Sequence, residues 1–116
     1  MRRDPRKLLE DIRQATAYLQ DFTAGVNADS YSSNKLLQSA VERQLEIAAE
    51  AVNRLLKASP DLVERITEYR KVIDFRNVLS HGYDVVKPSI VWGVVQKDVS
   101  ILRHEVEVLL AELGDA

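Results

Sequence analysis

The sequence predicts an all-α fold, an up-and-down bundle of four to five helices. Apolar residues recur at helical spacing through most of the chain, and the breaks between periodic stretches are short. Only 4 Gly and 3 Pro interrupt 116 residues, so long helices are permitted. The composition, 46% hydrophobic and 29% charged, is that of a folded chain, and residues 1–116 are the size of one domain.

A first helix is predicted over about residues 4–24, where Leu8, Leu9, Ile12, Ala15, Leu19 and Phe22 share a face. Pro5 suits its first turn and Gly25 its end. Asn27, Asp29, Ser30 and Ser32 read as a polar loop. The second helix covers about residues 33–59. Its stripe of Leu37, Ala40, Val41, Ile47, Ala48, Ala51 and Leu55, widened by Leu36, Leu45, Val52 and Leu56, is broad enough to be buried on two sides. Ser59-Pro60-Asp61 marks a break and a new start. The third helix then runs through Leu62, Val63, Ile66, Tyr69, Val72, Ile73 and Phe75 toward His81, with Gly82 placed to close it. After Pro88, the run Val91 to Val95 alone is compatible with a strand, but the spacing that continues through Val99, Leu102, Val106, Leu109 and Leu110 selects a fourth helix.

Composition also limits function. With no Cys, neither a disulfide framework nor a Cys-based zinc site can form. The basic start, Met1-Arg2-Arg3-Asp4-Pro5, is not followed by the apolar run of a secretory signal, and no stretch approaches the roughly 20 apolar residues of a membrane span. The expected location is the cytoplasm. A formal net charge of −2 argues against coating nucleic acid by bulk electrostatics, but local basic clusters are available at Arg65, Arg70, Lys71 and Arg76 and at Arg2, Arg3, Arg6 and Lys7. Such clusters also serve as ordinary solvated faces. Glycine-rich phosphate loops are absent, no histidines and carboxylates stand at convincing metal-ligand spacing, and no cofactor is implied.

Two histidines, His81 and His104, are the candidates for proton transfer near neutral pH. His104 sits mid-helix between Arg103 and Glu105 and reads as a surface residue. His81 belongs to a pattern, Arg76-Asn77-Val78-Leu79-Ser80-His81-Gly82-Tyr83. An Arg five residues before a His arises readily by chance; the Tyr two residues later makes the string specific. Trp92 and Tyr69 read as core or interface residues.

Through this string the chain resembles the HEPN superfamily, and within it the HepT-type toxins, whose motif is Arg-x4-His-x-Tyr. The resemblance extends through Val41 to Ala51 in the second helix and Val91-Trp92 in the fourth. Ala48 and Ala49 depart from it, standing where a bulkier residue and a Gly are more often expected. The resemblance implies a ribonuclease toxin that works as a homodimer, with the second and third helices near the interface. It also implies a minimal nucleotidyltransferase antitoxin that transfers AMP to the motif tyrosine, Tyr83.

Elementary chemistry agrees with such an activity. RNA is cut without metal when a base takes the 2′-OH proton, an acid protonates the leaving 5′ oxygen and a cation steadies the phosphorane charge. One His and one Arg do not easily serve all three roles; two copies across a symmetric cleft do. On this reading Arg76 contacts the scissile phosphate, His81 is acid or base, and Asn77 orients the phosphate or His81. Glu46 and Glu50, one turn apart, either position Arg76 or pair along their own helix with Arg43 or Arg54. Two rival functions stand beside this one, a non-catalytic helical subunit that binds substrate for a nucleotidyltransferase, and the antitoxin of the pair.

Overall fold

A computed structural model describes residues 4–81 and 86–114. Among them lie seven helices and no strand: α1 (Pro5–Thr23), α2 (Ala28–Ser32), α3 (Lys35–Ala58), α4 (Pro60–Val63), α5 (Tyr69–His81), α6 (Pro88–Lys97) and α7 (Val99–Leu113). The fold is all-α, as the periodicity predicts. No described helix is long and apolar enough to cross a membrane.

Local chemistry sets most helix boundaries. The Asp4 carboxylate accepts from Arg6 N–H at 3.0 Å and Pro5 occupies the first helical position, so α1 begins where capping is available. It ends at Thr23, and Gly25 follows at φ 73°. A Cβ there would meet nothing within 4 Å, so the left-handed backbone, not space, makes glycine suitable.

The structure corrects the expected loop after α1. Asn27 Oδ1 accepts from Ser30 N–H at 2.8 Å and Ser30 Oγ accepts from Asn27 N–H at 3.1 Å, a reciprocal capping box that starts α2. The buried Gln38 amide donates to the carbonyls of Tyr31 and Ser32 at 2.9 and 3.0 Å and closes its other end. Asn34 then caps α3 through Leu37 N–H at 3.0 Å.

The third predicted helix is two helices. α4 is a single turn, and the chain reverses through residues 64–68, with Glu68 at φ 51°. Glu105 of α7 fastens this turn: Thr67 donates its N–H to Oε1 at 2.9 Å and its hydroxyl to Oε2 at 2.6 Å. The fourth helix likewise divides at Asp98, in a stretch of Val, Gly and Asp whose helix propensity is poor. Gly82, expected to close α5, lies outside the described residues, as do Arg2 and Arg3.

α1 packs against both α3 and α7, and α5 lies along α3. The two run in opposite directions, since Ala51, Val52 and Leu55 of α3 cluster with Tyr69, Val72 and Ile73, whereas Val41 and Leu45 cluster with Phe75 and Leu79. The first cluster is completed by Leu8, Leu9, Ile12, Val106 and Leu109. In the second, Leu19, Val91, Val95 and Val99 surround Tyr31, whose ring lies 5.2 Å from that of Trp92. Two large residues of the predicted stripes, Leu36 and Phe22, are exposed. Leu36 is 82% exposed, and Phe22 stacks on Tyr18 at the surface.

Tyr31 is fully buried, yet its hydroxyl has no hydrogen-bond partner. Burial, reinforced by the charge of Glu42, pushes its pKa up to about 12. Tyr31→Phe keeps the ring and removes the unpaired hydroxyl, and is expected to raise the unfolding free energy by about 1 kcal/mol in urea titration. Ile12→Ala, which empties the floor of the first cluster, is expected to lower it by roughly 3 kcal/mol.

Candidate functional site

α1, α3 and α5 together build a polar cleft of about 440 Å³. The apolar faces of α3 and α5 fix their register, which places Glu50 of α3 opposite Arg76 of α5. Three guanidiniums, from Arg43, Arg54 and Arg76, and three carboxylates, from Asp11, Glu46 and Glu50, line it with Leu8, Ile47 and Ala51.

Glu50 ties this cleft together. Its Oε2 pairs with Arg76 Nε across the helices, and its Oε1 pairs with Arg54 Nε one turn along α3 at 3.2 Å. The two side chains of the cross-helix pair are each about one-third exposed, 34% for Arg76 and 30% for Glu50, so water screens it less than a fully exposed bridge. On the other edge of the guanidinium, Arg76 Nη1 donates to Asn77 Oδ1 at 3.4 Å. Arg43 donates Nη1 to Glu46 at 3.2 Å, within α3.

The sequence left two readings of Glu46 and Glu50, and the ion pairs differ between the two residues. Glu46 pairs along its own helix with Arg43; Glu50 does so with Arg54 and also holds Arg76. A carboxylate has two oxygens, so the alternatives did not exclude each other. His81 is the last residue of α5, and Tyr83 lies outside the described residues. His104 is exposed on α7, as its mid-helix setting suggested.

Arg65, Arg70, Lys71 and Arg76, available in the sequence either as a basic cluster or as ordinary solvated faces, do not form one site. Arg65 makes a two-pronged bridge to Glu112 at 2.5 and 2.6 Å, Lys71 pairs with Glu68 at 3.1 Å, and Arg70 lies over the Tyr69 ring at 5.1 Å. The cations that do share a cleft with Arg76 are Arg43 and Arg54, and the signal for them was spacing: residues 43, 46, 50 and 54 follow one another at three- and four-residue steps on one face of α3.

A second cavity, of about 290 Å³, opens between α3, α5 and the α6–α7 corner, with Ala48, Ala49, Val72, Phe75 and Leu102 among its lining. The two alanines are the positions where larger or different residues were expected, and their small side chains leave this space unfilled.

The helical bundle, whose α5 carries the motif from Arg76 to His81, is of the HEPN type. Within that class the chain belongs to the Ribonuclease HepT-like family, whose profile matches residues 12–109. It is 30% identical over 109 residues to a probable ribonuclease HepT of Thermococcus cleftensis, covering 94% of this chain and 98% of that one. A candidate RNase of Methanocaldococcus jannaschii is 28% identical over 110 residues, with 93% and 98% covered. Another protein of that organism, named a gamma-glutamylcyclotransferase and candidate RNase, is 28% identical over 113 residues; there the chain spans 50% of the relative's length. No solved structure matches the chain.

Glu42, one turn before Glu46, is part-buried, and its carboxyl is raised above its ordinary 4.5 by that burial and then by the charge of Glu46. A carboxyl whose pKa is higher in the folded than the unfolded state resists folding once ionised, so this cost is absent at acid pH and present in full at neutral pH. Glu42→Gln is therefore expected to raise Tm at pH 7 by roughly 1–3 °C, with the gain vanishing below about pH 4 in a scanning-fluorimetry series.

Proposed function

We propose that this chain is a metal-independent endoribonuclease, the toxin of a toxin–antitoxin pair, acting in the cytoplasm as a homodimer. Membership of the Ribonuclease HepT-like family supports ribonuclease activity. The observation that carries the mechanism is the ion pair of Glu50 with Arg76 at Nε, on the helix that ends at His81. With Glu50 beside Nε and Nη1 turned toward Asn77, Nη2 is left for an incoming phosphate oxygen.

In the proposed reaction Arg76 binds the scissile phosphate and stabilises the charge that builds on its oxygens. His81 of one protomer accepts the 2′-OH proton as O2′ attacks phosphorus. The bond from phosphorus to O5′ breaks, and the second protomer's imidazolium protonates O5′. The products carry a 2′,3′-cyclic phosphate and a 5′-OH. Symmetry supplies both the base and the acid from one kind of residue, which a single chain with His104 on a separate helix does not. Asn77 orients Arg76 and the bound phosphate.

The off switch in this reading is AMP transfer to Tyr83 by a minimal nucleotidyltransferase antitoxin. An anionic, bulky group two residues from His81 blocks RNA by repulsion and by volume.

With EDTA present, purified wild type is expected to cut total RNA to cyclic-phosphate ends, and Arg76→Ala and His81→Ala to slow cleavage at least 100-fold, on the order of one lost acid–base or charge-stabilising group. Undiminished cleavage by His81→Ala would sink the assigned site, and a monomer by light scattering would sink the shared one. If unmodified wild type cuts nothing, the non-catalytic subunit that binds substrate for the nucleotidyltransferase becomes the better reading. The antitoxin's AMP should appear on wild type by mass spectrometry and be missing from Tyr83→Phe.

A further inference from the structure

The geometry points to a second phosphate-binding position at Arg54, built by the same carboxylate that holds Arg76, so that Glu50 sets two guanidiniums side by side as a clamp for neighbouring phosphates of one RNA strand. This inference rests on RNA being the substrate.

Three observations carry it. First, Glu50 meets both arginines at Nε, Oε1 in a hydrogen bond with Arg54 and Oε2 in an ion pair with Arg76 that is not a hydrogen bond. A guanidinium held by Nε has its far edge, the terminal Nη pair, directed away from the carboxylate, and that fork is what meets phosphate. Among the described residues no acceptor engages the Nη atoms of Arg54, whose side chain is 51% exposed and lines the cleft. Arg43 differs, since its Nη1 is already given to Glu46.

Second, the charge is set locally. One carboxylate between two guanidiniums leaves that trio at +1, while Arg43, Asp11 and Glu46 bring the lining of the cleft to three cations and three anions, in a chain whose net charge is −2. Two arginines brought this close without Glu50 would repel each other; with it they are already paired in the free protein, so little ordering remains when an anion arrives.

Third, the order along the cleft matches a strand. α3 and α5 run in opposite directions, and Arg54 lies toward the start of α5 whereas His81 is at its end. Arg76 stands between them. A strand whose scissile phosphate sits at Arg76, and which runs along the cleft away from the His81 end of α5, therefore carries its adjacent phosphate toward Arg54. Both guanidiniums meet one carboxylate, which keeps them close to each other.

Glu50 is a positioning residue in this scheme and Arg54 a binding residue; neither takes part in proton transfer. The probe is a fluorescent single-stranded RNA oligonucleotide, 2′-O-methylated throughout so that it binds without being cut, titrated by anisotropy over a range of KCl concentrations. Arg54→Ala is expected to weaken binding roughly tenfold at low salt, the scale of one charged hydrogen-bonded contact, and to reduce the slope of log Kd against log salt by about 0.7, the contribution of one phosphate on a single strand. Lys97→Ala removes the same charge from the end of α6, outside the cleft, and should leave the slope as in wild type. With cleavable RNA, Arg54→Ala should raise KM while kcat stays within about twofold, unlike Arg76→Ala. Arg54→Lys keeps the charge without the fork and guards against misfolding; it should recover the slope but only part of the affinity.

A slope in Arg54→Ala equal to that of wild type, in a protein that binds and cuts RNA, overturns the clamp and leaves the ribonuclease reading intact. Failure of wild type to bind the oligonucleotide at all overturns both. Binding without cutting, with the slope lowered in Arg54→Ala, upholds the clamp and removes the catalytic reading alone.

Discussion

The geometry of this molecule converges on one carboxylate with two partners. Glu50 reaches Arg54 on its own helix and Arg76 on the next, and the second of these requires α3 and α5 to be in one register. An isolated surface ion pair contributes little, about 0–1 kcal/mol, and could not impose that register. The apolar faces do so, helped by Glu105, which fixes the turn before α5 through both the amide and the hydroxyl of Thr67. Packing sets the helices; the carboxylate then orders two long arginine side chains, each of which otherwise carries about 2 kcal/mol of rotamer entropy. That ordering is completed on folding, before any ligand arrives.

The division of the bundle into two apolar clusters follows from the same helices. The first joins the early part of α1 to the latter part of α3 and to α7, and the second joins the end of α1 to the early part of α3 and to α6. The cleft opens on one side of the α3–α5 pair and the alanine-lined cavity on another, so α5 is packed firmly only along α3. A helix fixed along one line and pinned at its start by a turn leaves Asn77 and Val78 of the motif exposed.

The sequence made the long elements legible and hid the joints. α1 and α3 were readable to within a few residues because their apolar spacing is sustained and Pro5 and Ser59-Pro60 mark ends. α2 was hidden because Asn, Asp and Ser favour loops and helix caps alike, and what selects helix is the reciprocal Asn27–Ser30 bonding together with Gln38, six and seven residues beyond the carbonyls it satisfies. The break before α5 was hidden too, because it falls at Glu68, a residue with no intrinsic claim on positive φ, held there by its surroundings. Arg76 and His81 were singled out by the motif, whereas Arg65, Arg70, Lys71 and Arg76, neighbours in sequence, are not neighbours in one site and fit the reading as ordinary solvated faces. Arg65 spends its charge on Glu112, 47 residues away, and the real companions of Arg76 come from a different helix.

This placement bears on how a chain of net negative charge can work on a polyanion. Bulk attraction is missing, so binding depends on a few cations kept apart from the carboxylates that would neutralise them completely. A one-to-one pairing of Arg54 and Arg76 with separate acids would cancel both charges; sharing Glu50 cancels one and keeps the other, while still fixing both side chains. In the proposed switch, an anionic group added at Tyr83 acts on a cleft whose lining already balances three guanidiniums with three carboxylates, so it meets no reserve of positive charge that would offset it.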